Sequence, residues 1–149
     1  ISACLVGSEM CIRDRVYADQ WLYGLLSGDA TLTGLVSTRI HSYVAPEGVV
    51  FPYVLYTFQG GADVSVVGGV RIFNSGLYQV KAVGRTESLA SLQVIANRLD
   101  TLLQRASGSV TGGIILACVR TQPLAYAEVS NQYQYRHLGG LYRIQVQGV

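Results

Sequence analysis

The stretch from Gly76 to Gln104 constrains the fold most, because its apolar residues recur first with period two and then with the spacing of a helix. In Leu77 to Val83, Tyr78, Val80 and Ala82 alternate with Gln79 and Lys81, the pattern of a strand with one buried face. Gly84 ends that strand. Thr86 is placed to cap a helix with Glu87 at its positive end, and Leu89, Leu92, Ala96, Leu99 and Leu103 follow as one apolar stripe. Ser91, Asn97, Arg98, Asp100, Thr101 and Gln104 fall largely outside the stripe. A half-apolar helix following a half-apolar strand is stable only when it lies on a sheet, so the fold is layered.

The rest of the chain fits around that unit. Trp21, Leu22, Leu25 and Leu26, with Tyr17 or Ala18, predict a short amphipathic helix closed by Ser27-Gly28. Asp29 caps a second one carrying Leu32, Leu35 and Val36. Thr38 to Tyr43 reads as a short strand, and Val44 to Phe51, with Pro46 and Gly48, as a surface loop. Tyr53 to Phe58 is apolar on both faces and predicts a central strand covered on two sides.

Gly60-Gly61 and Gly68-Gly69 bracket Ala62 to Val67, and Val70 to Phe73 leads back to the organising strand. This predicts an antiparallel pair ending in a long flexible hairpin, with Val64, Val66 and Val67 exposed on a monomer. Ser107 to Gly113 reads as a Gly and Ser loop, and Ile114 to Val119 as a strand that Pro123 interrupts before Leu124-Ala125-Tyr126. Gln132 to Tyr135 and Leu141 to Val146 both alternate, with Gly139-Gly140 as a bulge or bend between them. The predicted class is α+β: one antiparallel or mixed sheet, one long helix and short N-terminal helices mainly on one face, and a projecting β-hairpin arm.

A chain of 149 residues, half of them apolar, supports one core rather than two domains. Eleven Lys plus Arg against nine Asp plus Glu leaves +2, which is not the dense basic face of a nucleic-acid binder. Ten of those cations are Arg, the cation suited to bidentate pairs at protein interfaces, and the ten Tyr point the same way. No apolar run reaches the roughly 18 residues of a membrane span, so no membrane partner is expected. Residues 1–15 fit badly with the rest. Met10-Cys11-Ile12-Arg13-Asp14-Arg15 back-translates to a string like a transposon end used in sequencing libraries, so this piece is expected to be artefactual or disordered, with the domain over residues 16–149.

Nothing announces catalysis. His41 and His137 each sit in a strand-like segment without metal-ligand spacing, and both read as hydrogen-bonding strand residues. The three cysteines make no disulfide framework, and Cys118 reads as a small core residue. The glycine pairs lack the Lys-Ser/Thr and helix start of a phosphate loop. Tyr133, Tyr135 and Tyr142 with Arg136 and Arg143 resemble a base-stacking strand only superficially; an alternating wall of core and interface side chains accounts for them. No cofactor, metal or catalytic residue is expected.

The order of short motifs does carry a likeness. Trp21-Leu22-Tyr23-Gly24-Leu25-Leu26 is followed by Asp29-Ala30-Thr31-Leu32-Thr33-Gly34-Leu35-Val36, Arg39-Ile40-His41, Ala45-Pro46 and Phe51-Pro52-Tyr53-Val54-Leu55-Tyr56. After the hairpin come Tyr78 to Val83, the long helix and Tyr142-Arg143-Ile144-Gln145-Val146. From Tyr17 onward this order resembles the tail completion, or tail terminator, proteins of long-tailed bacteriophages and prophages.

The resemblance implies a structural virion protein of the tail or neck, assembled in the host cytoplasm. It forms a hexameric ring that caps the tail tube, ends its polymerisation and offers the surface for head-tail joining. Partners implied are further copies, the major tail tube protein and a head-tail connector protein, with DNA passing through the bore without specific binding. Ring contacts suited to the sequence are Val64, Val66, Val67 and Arg71 of the hairpin and Arg98 and Arg105 of the helix. Another neck or tail component, a connector or a tube subunit, is the second reading, and a small-molecule-binding module the third.

Overall fold

Two sequence periodicities become one sheet and three helices in the computed structural model, which describes residues 16–86 and 88–148. The expectations that fall on residues 1–15 and on Glu87 lie outside the described residues. Residues 16–27 form α1. Then come α2 (Ala30–Val36), β1 (Ile40–Ser42), β2 (Tyr53–Ser65), β3 (Arg71–Gly84), α3 (Leu89–Leu103), β4 (Ala106–Val110), β5 (Gly113–Ser130) and β6 (Tyr133–Gly148). The sheet order is β1-β2-β3-β6-β5-β4; β1 joins β2 in parallel and every other pair is antiparallel. The class is α+β, as the alternation implied.

The helices bury one face of this sheet. Tyr78, Val80 and Ala82 of β3, Tyr142, Ile144 and Val146 of β6, and Val54 and Tyr56 of β2 meet Leu22, Leu26, Leu32, Val36, Leu92, Leu99 and Leu103 in one cluster. Two buried tyrosines fix the layers to each other: Tyr78 donates to Asp19 Oδ1 on α1 at 2.9 Å, and Tyr142 to Asp100 Oδ1 on α3 at 3.0 Å. A buried phenol stabilises only when its hydroxyl is satisfied, so each pins one helix at one height on the sheet. Cys118 lies in this core, and burial pushes its thiol up to about 12, as suits a packing residue.

Several boundaries differ from the sequence expectation. The cap of α3 is Ser88, whose Oγ accepts from the Ser91 N–H at 3.2 Å, not Thr86. The buried stripe is Leu92, Ile95, Leu99 and Leu103, with Leu89 half exposed in the first turn. Ser107 to Gly113 is not a loop: Ala106–Val110 pairs with β5, and small residues are there because α1 lies on top. A Cβ on Gly108 would come 2.9 Å from Trp21 Nε1, and one on Gly113 2.5 Å from the Tyr17 ring. β2 is not central either, since β3 and β6 hold the middle of the sheet.

Pro123 does not break β5. β4 has ended by Cys118, so Pro123 sits where β5 is the sheet edge, next to a register shift between Arg120 and Gln122, one of the places a strand tolerates proline. Gln132 to Tyr135 and Leu141 to Val146 are two ends of one strand, β6. Lys81, expected on a polar face, is only 6% exposed.

Asp29 does cap α2 as expected, with Oδ2 accepting from the Leu32 N–H at 2.7 Å. The same carboxylate takes a bidentate pair from Arg98 on α3, at 2.9 and 2.6 Å. Arg98 above all, opposed by partial burial, holds the Asp29 carboxyl below its ordinary range. Asp29→Ala should therefore cost about 1–2 kcal/mol, the usual loss of an N-cap, plus the tie between α2 and α3. Asp29→Asn, which keeps a cap and loses the charge, should cost less; urea denaturation of the two variants checks the order.

Candidate interaction surfaces

The register places a two-stranded arm at each end of the sheet. β6 accompanies β3 only from Asn74 to Gly84. β2 and β3 run on together to Ser65 and Arg71, so the hairpin from Val64 to Phe73 projects without a third strand. At its tip the Val66 N–H donates to Val70 O at 2.9 Å, and Gly68 and Gly69 take φ of 103° and 82°, which glycine alone adopts without strain. At the other end, β5 and β6 continue past Gly84 to a turn at Asn131 and Gln132, both at positive φ.

The first arm is aliphatic. Val67 is fully exposed, and Val66, Val70 and Ile72 are at least a third exposed, while Val64 is half buried at the base. A two-stranded hairpin is marginal by itself, and its base is braced by polar side chains: Arg71 pairs with Asp63 at 2.7 Å, and Asn74 donates to the same carboxylate at 2.9 Å. Arg71 thus stiffens the arm from which the valines project. The second arm is braced by aromatics. Arg85 lies over the rings of Tyr133 at 4.6 Å and Phe51 at 5.2 Å, and Phe51 meets Tyr135 at 5.7 Å.

The remaining sequence-level site residues do not gather with the valines. Arg98 is held by Asp29 within the fold, and Arg105 is an exposed residue at φ 64° in the turn after α3, its N–H donating to Cys118 O at 2.8 Å. The six named residues therefore form one cluster, the hairpin with Arg71, and two separate positions. Sequence reasoning did not single out Val70 and Ile72, which share the arm; their strand alternation was visible, but nothing in it said that no helix would cover them.

On the sheet face away from the core cluster, Lys81 donates to the Tyr126 hydroxyl, Tyr126 stacks on His137 with ring centroids 4.3 Å apart, and His137 Nε2 meets Glu128 Oε1 at 2.8 Å. Burial first, then the Lys81 charge, lowers the His137 pKa, while Glu128 pulls it up. The result joins the β5 arm to β3 through polar contacts at the Tyr126 hydroxyl and His137 Nε2, while the buried Nδ1 of His137 has no hydrogen-bond partner among the described residues. His41 stands edge-on to Tyr53 at 5.8 Å. No group of three or more metal-ligand side chains converges among the described residues, and no described helix is long and apolar enough to cross a membrane.

A shallow groove runs beside β5 on the helix side. One hollow of about 410 Å³ lies between Leu89, Ala90, Pro123 and Leu138, and a second of about 310 Å³ between Leu89, Ala125 and Ala127. Gln93, Asn97 and Arg120 also line the first hollow and Gln134 and Arg136 the second, with no carboxylate, histidine or cysteine among the lining residues.

A family model described as tail completion protein gp17 matches residues 20–147. Among solved structures, the chain superposes with a TM-score of 0.66 on a chain from the virion of a native gene transfer agent particle, at 20% identity over 85% of this chain and 91% of that one. Among curated proteins no relative matches by sequence.

Proposed function

Because the chain belongs to the tail completion protein gp17 family, and is thus a structural, non-enzymatic component of the virion tail or neck, we propose that it closes the tail tube. In this reading six copies form a ring that sits on the last layer of tube, stops its polymerisation and offers its other side to the head-tail connector. The observation that carries it is the pair of arms leaving one rigid sheet in opposite directions. A terminator must grip one partner on each side, and a heterologous contact between copies must close on itself rather than propagate.

The aliphatic arm supplies the greasy contact, to the neighbouring copy or to the tube, and the aromatic arm presents a different chemistry at the far end. DNA passes through the bore, where a net charge of +2 gives only weak, sequence-blind attraction. Gel filtration with negative-stain microscopy of the purified protein tests this. Closed six-membered rings are expected; an open, lengthening tube would make the chain a tube subunit instead, and a strict monomer at high concentration would overturn the ring.

A further inference from the structure

We propose that copies of this chain join edge to edge, the outer edge of β4 (Ala106–Val110) pairing with the outer edge of the aliphatic arm, Gly61 to Ser65 of β2, on the next copy. That the joined copies close into a ring rests on the reading above; that these two edges fit each other rests on the register alone.

Both edges are open. β4 ends the sheet on one side, and on the other β1 covers β2 only at Val54 to Tyr56, so neither stretch has an outer strand among the described residues. Neither is guarded. Lone edges are commonly protected by proline, by charged side chains or by a covering segment. β4 reads Ala-Ser-Gly-Ser-Val, and the one charge on the β2 stretch, Asp63, is held by Arg71 and Asn74. Outward amides and carbonyls of this kind are satisfied in a dry contact only by another extended backbone.

The two edges lie at one height on the sheet. Followed from partner to partner, Ala106 stands in a row with Cys118, Ile144, Gly76 and Gly61, and Gly108 in a row with Ile115, Val146, Asn74 and Asp63. A rotation about an axis along the strands carries a copy sideways without changing its height, so it brings β4 of one copy against the arm of the next, position for position. The faces agree as well. Ala106 and Gly61 share their row with the core residues Cys118 and Ile144, and Ser107 and Ala62, one step on, fall on the opposite face by strand alternation. Four antiparallel pairings separate β2 from β4, so the two strands run the same way and the new pair is parallel. They cannot meet within one chain, because β3, β6 and β5 stand between them.

The outline of the sheet fits at its other end too. β5 is eighteen residues long, yet β4 pairs with it only up to Cys118, which leaves its outer edge bare from there on among the described residues. At that height the far side of the sheet carries β1. Ser42 stands in a row with Tyr56, Val80, Gly140 and Pro123, and Ile40 in a row with Val54, Ala82, Leu138 and Ala125. The rotation that joins β4 to the arm therefore sets β1 into the recess beside β5 rather than against a strand. Pro123 offers no N–H there, so this end contributes fit more than backbone bonds.

Paired thiols test the assignment. Ala62→Cys with Ser107→Cys, in a full-length chain carrying Cys4→Ser and Cys11→Ser, should cross-link assembled copies into a covalent ladder on oxidation, since a disulfide needs Cα atoms within about 7 Å. Thr57→Cys with Ser107→Cys, which sets one thiol further along β2, should give no ladder. Hydrogen exchange on the unmodified chain, followed from dilute to concentrated solution alongside sedimentation, supplies the second reading. Outward amides of β4 and of Gly61 to Ser65 should slow together by at least about tenfold as the oligomer forms, because exchange then requires the contact to open. Rings that form without the ladder, or while either segment exchanges at its dilute rate, overturn the edge pairing and leave the ring standing. A chain that never oligomerises overturns both.

Discussion

Replacing Val64, Val66 and Val67 together by Asp is expected to abolish the proposed ring while the chain stays folded. Val67 is fully exposed and Val66 nearly half exposed, so neither contributes much to the core of a single copy. The arm they occupy lies beyond the last β3-β6 pair, where Asp63 and Arg71 rather than apolar packing hold the two strands together. Fully burying a valine side chain is worth roughly 1.5–3 kcal/mol. Removing three such contacts and forcing carboxylates into an apolar surface costs more again. A weakening of at least about a thousandfold follows, since each 1.4 kcal/mol is tenfold. Sedimentation velocity should show monomer, and circular dichroism an unchanged spectrum with a melting midpoint within a few degrees of the unmodified chain. Normal rings from the triple variant would remove the arm from the assembly contact, and a loss of secondary structure would show that it belongs to the fold.

The parts of this fold legible in the sequence are those where local periodicity and burial agree. Tyr78, Val80 and Ala82 face the core as their alternation says, Asp29 caps α2 as its position says, and Leu92, Leu99 and Leu103 form the helix stripe. What stayed hidden depends on distant partners. Gly108 and Gly113 looked like loop residues and are strand residues, because only Trp21 and Tyr17, almost a hundred positions earlier, make small size a requirement there. Lys81 looked like a surface cation, and is buried because Tyr126 and His137, on strands β5 and β6, lie beside it.

The candidate surfaces divide in the same way. That the valines of the hairpin would be exposed could be read from the glycines around them and the small local core of a projecting tip. That Arg98 would be spent on Asp29, sixty-nine residues away, could not. The open edge of β5 was equally invisible. It exists because β4 is five residues long and β5 eighteen, a mismatch of lengths that no local pattern encodes.

Gly139 is expected to be the least replaceable residue of the sheet, and Gly139→Ala should lower stability by about 4 kcal/mol or more, beyond the ordinary range for a single substitution. It stands opposite Lys81 at the centre of the β3-β6 pair. A Cβ there would lie 2.2 Å from Val80 O and 2.5 Å from Lys81 Cα, both backbone atoms that no rotamer change can move aside. The two central strands must part, opening the contacts that bury Lys81 and His137 on one face and loosening Val80 on the other. Gly34→Ala is the control: it lies in α2 with open space around the added methyl, so it should gain about 0.5–1 kcal/mol from helix propensity. Urea denaturation of both variants reads the difference directly, and a Gly139→Ala chain as stable as the unmodified one would show that β3 and β6 do not approach this closely. Because β3 runs unbroken from the base of the aliphatic arm at Arg71 to the Lys81 cluster that holds the other arm, the same substitution should also impair ring formation in the chains that do fold. The distance between the arms is set by this strand pair, and a ring tolerates little variation in the spacing of its contacts.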